Sequence, residues 1–436
     1  HNGCGSRQMD MPVCPPGPLP AKTKQPGKDN TLQALNTPYF HIQETDLDKD
    51  VSILKQALTD NWGNWIVGYS VKTNSLPWLL CYMKEQSFYA EIVSGTEYRL
   101  AKRLGFPDNQ IIYNGPIKEK EIFTDILLAG GLVNLDSSEE PSWLSELSAR
   151  FPDRTFSVGL RVNCDIASLC PEEVLVEEEG GRFGYCYENG ALAEVIRSLR
   201  ALPNVKISGL HLHSSTQSRT VNVYGALART AVKIAQEYGL KLSYVDMGGG
   251  YFGGRDDKPD YRDYFPAICR ELRAAFDPKE TVLIAEPGVS LISRATTFAT
   301  TVLDVKHIRN HVFLVTDGSR TNLNPLVTRH VYPHHIEYTD APEGRPTVPS
   351  QWVTGFTCME YDRLFEIKDG PALKKGDRII YDTAGGYTMC LNPLFIHYFP
   401  PVWVTKRDGS LFKARDQWDV EEFMQKNYTE GDTLHE

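Results

Sequence analysis

The stretch WIVGYSVK, residues 65–72, is an apolar, β-branched run that ends on a charge, flanked by Asn61–Asn64 on one side and Thr73-Asn74 on the other. It reads as a short buried strand that delivers Lys72 to its C-terminal mouth. An amine held in a desolvated, polar-lined mouth loses part of its preference for the charged form and becomes a usable nucleophile toward carbonyls. The alternative is a lysine that snorkels to solvent from a strand end.

The chain on either side keeps one beat. TPYFHIQ reads as a strand and LDKDVSILKQAL as a helix; after Lys72, PWLLCYMKEQ is a helix and FYAEIVSG a strand. Strand then follows helix through QIIYNG, LVNLDS, TFSVGLRVN, KISGLHLHSS, LSYVDMGGG and TVLIAEPG, with a long loop at EEEGGRFGY. About eight alternations over roughly 230 residues are what a (β/α)8 TIM barrel requires, and such barrels do chemistry at the C-terminal ends of their strands. Those ends carry Lys72, Glu91, Asn114, Asp136, Arg161, His213, Gly248-Gly249-Gly250 and Glu286.

After about Ser293 the beat stops, and turn-separated β-rich segments such as TTFATTVLDVKHI, HVFLVTDG, QWVTGFT, DRIIYDTAG and PPVWVTKRDG predict a β-sandwich or small barrel. The expected division is a flexible N-terminal arm or expression remnant over 1–33 and a strand region over 34–48 that joins the β-domain. The barrel then takes 49–293 and the C-terminal β-domain 294–436.

At 436 residues there is room for two domains. A formal charge of −10 without a basic stripe argues against nucleic acid, and no apolar run approaches the ~20 residues that span a bilayer. Nine cysteines, an odd number without CxxC pairs, point to reduced thiols in a cytoplasm. No metal-ligand set is read from the sequence.

The chemistry-bearing segments follow. DMGGGYFGG lets backbone N–H groups approach an anion with no Cβ in the way. HLHSSTQS adds His213 and the hydroxyls of Ser214, Ser215 and Thr216, although His211 or His213 taken singly also reads as a hydrogen-bonded core residue. Glu286, before a Pro-Gly turn, either caps a loop or holds a pyridine nitrogen protonated.

YSVKTN, AEIVSG, LRVN, RFGY, GLHLHSS, DMGGGYFGG, AEPG, TGFTCMEYD and AGGYTMCLNPLF stand in an order and spacing that resemble the fold-type III pyridoxal-phosphate decarboxylases. That family includes the diaminopimelate, ornithine and carboxynorspermidine decarboxylases. The resemblance spans about residues 35 to 425 and implies an alanine racemase-like barrel with a C-terminal β-domain, in a head-to-tail homodimer with two composite sites. It implies pyridoxal 5'-phosphate as cofactor, with Lys72 forming the Schiff base, His213 stacked on the ring and Glu286 paired with the ring nitrogen. Glu91 and Arg161 would flank the ring, while Gly248 to Gly250, Thr216 and Tyr387 would hold the phosphate. Cys358 is implied as the thiol that reaches in from the partner subunit to protonate Cα, with Phe395 near the same pocket.

This sequence departs from the family pattern where the substrate's far end is recognised. Met359 stands where an acid follows the cysteine, with Glu360 one residue along; Val289 replaces the arginine of EPGR, which in the family serves the phosphate or, in diaminopimelate enzymes, the distal carboxylate; Asn324 replaces the arginine of an RP stretch. A buried site built to pair charges discriminates strongly, so these losses argue against diaminopimelate, lysine or ornithine as the preferred substrate. Arg320, Arg329, His330, His334 and His335 crowd the corresponding loop, which suits a carboxylate. The expectation is a small amino acid with a bulky or acidic extension, of the kind made in siderophore or other specialised pathways. Competing readings are a plain diaminopimelate-, ornithine- or lysine-type enzyme, a non-catalytic relative like the antizyme inhibitors, and a racemase.

Overall fold

The computed structural model describes residues 31–174, 180–214 and 218–431. Most of the expected N-terminal arm, Cys4, Cys14, Thr216 and part of EEEGGRFGY lie outside the described residues.

Eight parallel strands pair in chain order: Trp65–Ser70, Tyr89–Ile92, Ile111–Tyr113, Leu132–Leu135, Phe156–Asn163, Val205–His211, Tyr244–Asp246 and Val282–Ala285. The last pairs with the first, Leu283 opposite Trp65, so the sheet closes into a barrel. Parallel strands covered on both faces must be apolar on both. One set of side chains packs against the surrounding helices in the main core, while Ile112, Tyr244 and Ile284 form a separate small cluster with Ile66, Tyr89, Leu132 and Val282. The connecting helices start and stop where the sequence signals it. Val221–Tyr238, for example, is capped by the Thr220 hydroxyl and ended by Gly239 in the left-handed region.

Two local differences from the sequence reading matter for the site. The first strand ends at Ser70, whose N–H donates to Pro287 O at 3.1 Å, and Lys72 sits in the one-turn helix Val71–Thr73. The loop after Asn163 contains a two-residue strand, Tyr185–Cys186, that pairs with Val162 and Asn163.

The second sheet also has nine strands. Tyr39–Gln43 lies in it between Thr296–Ile308, antiparallel, and Val402–Thr405, parallel. The helix Glu44–Asn61 continues from that strand and packs on the barrel's own helix Tyr261–Leu272. Thr347–Thr354 and Arg363–Pro371 form a hairpin in the same sheet.

His334 and His335 do not belong to a basic loop: they form the strand His334–Glu337 against Arg378–Tyr381. His334 stacks on Phe365 at 4.0 Å and His335 faces Asp382 at 3.5 Å, so each ring has a neighbour of its own. Among the described residues no helix is long and apolar enough to cross a membrane.

Candidate active site

A cavity of about 340 Å³ opens at the C-terminal ends of the barrel strands. Lys72, Glu91, Asn114, Arg161, His213, Gly249, Gly250, Glu286, Val289 and Tyr387 all line it. These residues come from seven separate strand ends, brought together by barrel closure, and from the C-terminal chain segment, which reaches over to the Lys72 turn.

The Lys72 turn is clasped from the far end of the chain. Tyr387 N–H donates to Thr73 O at 2.9 Å, and Asn74 Nδ2 donates to Gly385 O at 3.1 Å. Lys72 Nζ donates to Glu91 Oε2 at 3.1 Å and to Ser70 Oγ at 2.8 Å. Burial pushes the ammonium's pKa down, but Glu91, Tyr387 and Glu286 outweigh it and hold it above the ordinary lysine value. The expectation of a lysine eased toward its neutral form is therefore corrected: desolvation alone was considered, and the carboxylates reverse its sign.

Glu91 and Glu286 are joined through Asn114, whose Nδ2 donates to Glu91 Oε1 at 2.9 Å and to Glu286 Oε2 at 2.6 Å. Behind them Asn134 Nδ2 donates to Asn114 Oδ1, and the Tyr244 hydroxyl donates to Asn134 Oδ1, each at 2.8 Å. His211 Nε2 lies 2.9 Å from Glu286 Oε1, at ion-pair distance but not aligned for a hydrogen bond. Asp246 completes the group, converging with His211 and Glu286 within 4.8 Å.

Burial favours the neutral form of both acids in that pair, yet they part company. Asp246 is pushed well up by burial and by the Glu286 charge, while His211 and the Asp246 hydroxyl overcome burial and pull Glu286 down. Asp246 is thus the member of the pair biased toward its neutral form, and Glu286 the one biased toward its charged form.

His213 is the neutral ring of the site. Burial first, then Arg161, His211 and Lys72, lower its pKa to about 3. Its Nδ1 accepts from Gly249 N–H at 3.2 Å, which leaves the ring proton on Nε2. Gly248 must be glycine because a Cβ there would stand 2.6 Å from His213 Cβ, and at Gly249 it would stand 2.1 Å from Glu286 O. The Tyr224 hydroxyl ties down the same turn, donating to Gly249 O at 2.8 Å.

Arg161 packs over the Phe183 ring at 4.9 Å and faces Asp136 at 3.9 Å, and its buried Nε has no hydrogen-bond partner among the described residues. Asp136 also accepts from Gly184 N–H at 2.6 Å, so it fastens the RFGY segment to the barrel rim.

Four expected residues stand elsewhere. Cys358 is exposed on the hairpin turn, Met359 is half-buried beside it, and the Glu360 side chain is fully exposed, 3.9 Å from Arg363. Phe395 is 44% exposed in a neighbouring segment, tied to the turn by the Phe356–His397 ring contact at 4.3 Å. Arg329 lines a second cavity of about 590 Å³ that adjoins the first through Arg219, Val289 and Tyr387. His330 lines it too, whereas Arg320 packs over Tyr361 at 4.9 Å.

The sequence reading missed Asn134, Asp246 and Tyr244 as parts of the site, and Arg219 and Arg255 as cavity cations. The available signal was an uncharged polar or acidic residue inside an otherwise apolar strand, as in LVNL and YVD.

Residues 46–293 match the family model described as the pyridoxal-dependent decarboxylase, pyridoxal-binding domain. The chain belongs to that family. The probable chloroplastic diaminopimelate decarboxylase of Oryza sativa subsp. japonica is 28% identical over 403 residues, which cover 90% of this chain and 79% of that one. The L-glutamyl–BtrI acyl-carrier protein decarboxylase of Niallia circulans is 25% identical over 360 residues, covering 78% and 82%. In structure, the crystallised diaminopimelate decarboxylase of M. jannaschii overlays with a TM-score of 0.78 at 21% identity, covering 91% of this chain and 93% of that one.

This pyridoxal-dependent decarboxylase is a carboxy-lyase whose cofactor is pyridoxal 5'-phosphate. The cavity fits that cofactor on its own terms. It has one amine, a flat neutral imidazole, a buried carboxylate, a glycine turn that a Cβ would fill, and an arginine with an unused buried N–H.

Proposed function

We propose that this enzyme decarboxylates a small amino acid with an acidic or bulky distal extension, of the kind found in siderophore or other specialised pathways. It would act as a homodimer whose sites each draw on both copies. The observation that carries this reading is that the two carboxylates on the cavity wall, Glu91 and Glu286, are both already engaged by Lys72, Asn114 and His211. Among the described residues the cavity therefore keeps no acid for a distal ammonium. The adjoining cavity instead presents Arg329 and His330, with no acid lining it among the described residues, and Arg329 Nη1 is buried with no hydrogen-bond partner there. A relative that acts on a glutamyl group joined to a carrier protein is a precedent for an extended substrate.

In this reading Lys72 would hold the cofactor's aldehyde and His213 would lie flat against its ring. Glu286 would face the ring nitrogen, Glu91 and Arg161 would flank the ring, and Gly248 to Gly250 with Tyr387 and Thr216 would surround the phosphate. Bound, the cofactor supplies a conjugated ring that takes up the electron pair released as carbon dioxide leaves. Glu286, whose pKa its neighbours pull down, is the group suited to hold a proton at the ring nitrogen. Lys72 carries its proton at Nζ, ready for transfer to a neighbouring base.

No described cysteine lines the cavity of a single chain, so Cys358 of the partner subunit would supply the second acid, to Cα, with Met359, Glu360 and Phe395 around it. Asp362 supports that role: it accepts from Ser319 Oγ, Arg320 N–H and Thr357 Oγ1 at 2.6–3.0 Å and so fixes the turn from beneath. Exposed Tyr361, Phe395 and Ile396 give this face the apolar character of an interface. We further assign 34–48 and 294–436 to the β-domain and 49–293 to the barrel, and place the enzyme in the cytoplasm, where its seven described cysteines would stay as the free thiols they are.

The test is carbon dioxide release by the cofactor-loaded full chain on diaminopimelate, lysine, ornithine and carboxylate-extended amino acids. An advantage in kcat/KM of about tenfold or more for an acid-extended substrate is expected. A clear preference for a simple diamino acid would overturn the substrate assignment.

A further inference from the structure

Val289 leaves the phosphate end of the cofactor cavity without the arginine that the family pattern puts after Glu-Pro-Gly. A different arginine stands on the same wall. Arg219, from the segment between the strand Val205–His211 and the helix Val221–Tyr238, lines the cavity together with Gly249, Gly250, Gly288, Val289 and Tyr387.

The backbone at this corner is held in costly conformations. Arg219 has φ +47° and Tyr387 φ +56°, both non-glycine residues in the left-handed region that L side chains avoid. A fold keeps such residues where the surroundings fix them, and they gather at ligand clamps. Here Arg219 O accepts from the Tyr264 hydroxyl at 2.6 Å, and its guanidinium lies 5.1 Å from the Phe252 ring centre. The Tyr224 hydroxyl, bonded to Gly249 O, feels that charge, which offsets part of the upward push of burial. Arg219 thus shares a cavity wall with the glycine turn, and its guanidinium packs against the Phe252 ring.

We propose that Arg219 is the phosphate-binding cation of this enzyme and takes over the charge that Val289 does not provide. The inference concerns the cofactor, not the substrate, and stands or falls apart from the substrate assignment.

The test compares two ligands on the full chain freed of cofactor: pyridoxal 5'-phosphate and pyridoxal, titrated by absorbance. Loss of one charge-assisted contact should weaken pyridoxal 5'-phosphate by about tenfold or more in Arg219→Gln and leave pyridoxal unchanged. Arg219→Lys should keep most of the preference. Adding Val289→Arg to Arg219→Gln should restore it, since the cavity of about 590 Å³ bordering Val289 has room for the longer side chain. Equal weakening of both ligands would reveal a structural role and overturn the proposal, as would no weakening of either. Arg219→Met keeps the stem over Phe252 and decides by the same two titrations if Arg219→Gln does not fold.

Discussion

Around Lys72 each ionisable group meets a partner from another strand: Glu91 meets Lys72 and Asn114, Glu286 meets Asn114 and His211, and Asp246 converges on His211 and Glu286. Around Cys358 the polarity is reversed. The turn is anchored from below by buried Asp362, but Cys358 and Glu360 face outward and Tyr361 is 59% exposed. One region is complete within a single chain; the other is a rigid device with nothing in this chain to act on. In the proposed dimer this clamped, exposed turn would be the part that meets the partner subunit.

The sharpest way to break that contrast is to disable each region in a different copy. Lys72→Ala should abolish activity, and Cys358→Ala should lower kcat by about 10²–10⁴-fold with cofactor content unchanged. If sites are shared, mixing the two inactive variants in equal amounts makes half the dimers mixed, and each mixed dimer has one intact site. Activity should then recover to about a quarter of the parent value in a carbon dioxide release assay. No recovery would mean that both groups serve the same chain.

Much of the first region was legible in the sequence because a barrel converts order into place: once the strands are in register, their ends must converge. Lys72, Glu91, Arg161, His213 and Glu286 could be read as strand-end residues, and all of them line the cavity. What could not be read was the pairing. Asn114 bridges acids that are 23 and 172 residues away, and the sign of the Lys72 shift depends on that neighbourhood. The second region was legible only through resemblance. An exposed cysteine on a hairpin has no periodicity to mark it, and the strand His334–Glu337 was hidden because two of its four residues are histidines.

A smaller effect compares the barrel mouth with the second sheet through their buried histidines. Burial lowers His213 to about 3 and His41 to about 4. A histidine whose folded pKa lies below its unfolded value contributes stability that is fully present above about pH 6.5. That stability is lost as pH falls, because the unfolded chain takes up the proton first. From pH 7 to pH 5 each should cost about 2 kcal/mol. Chemical denaturation at the two pH values should therefore show a smaller drop for His213→Phe and for His41→Phe, by about that amount each. An unchanged drop for one variant would mean that its ring is protonated, or reached by water, in the folded protein.

The smallest expected effect bears on what the outward turn is for. Met359 gives the turn beside Cys358 no charge, so a substrate ending in an ammonium gains nothing there. Met359→Asp places a carboxylate at that point, and with Asp362 still clamping the turn it should raise kcat/KM for ornithine or lysine by about tenfold without changing cofactor content. Glu360→Gln is the companion variant: its side chain is fully exposed in the single chain and 3.9 Å from Arg363, so its effect on kcat/KM should be smaller than that of Met359→Asp. If the aspartate at 359 has no more effect than the glutamine at 360, the substrate's far end does not reach the turn. Its recognition would then fall to Arg329 and the second cavity, and the turn would serve only to present the thiol.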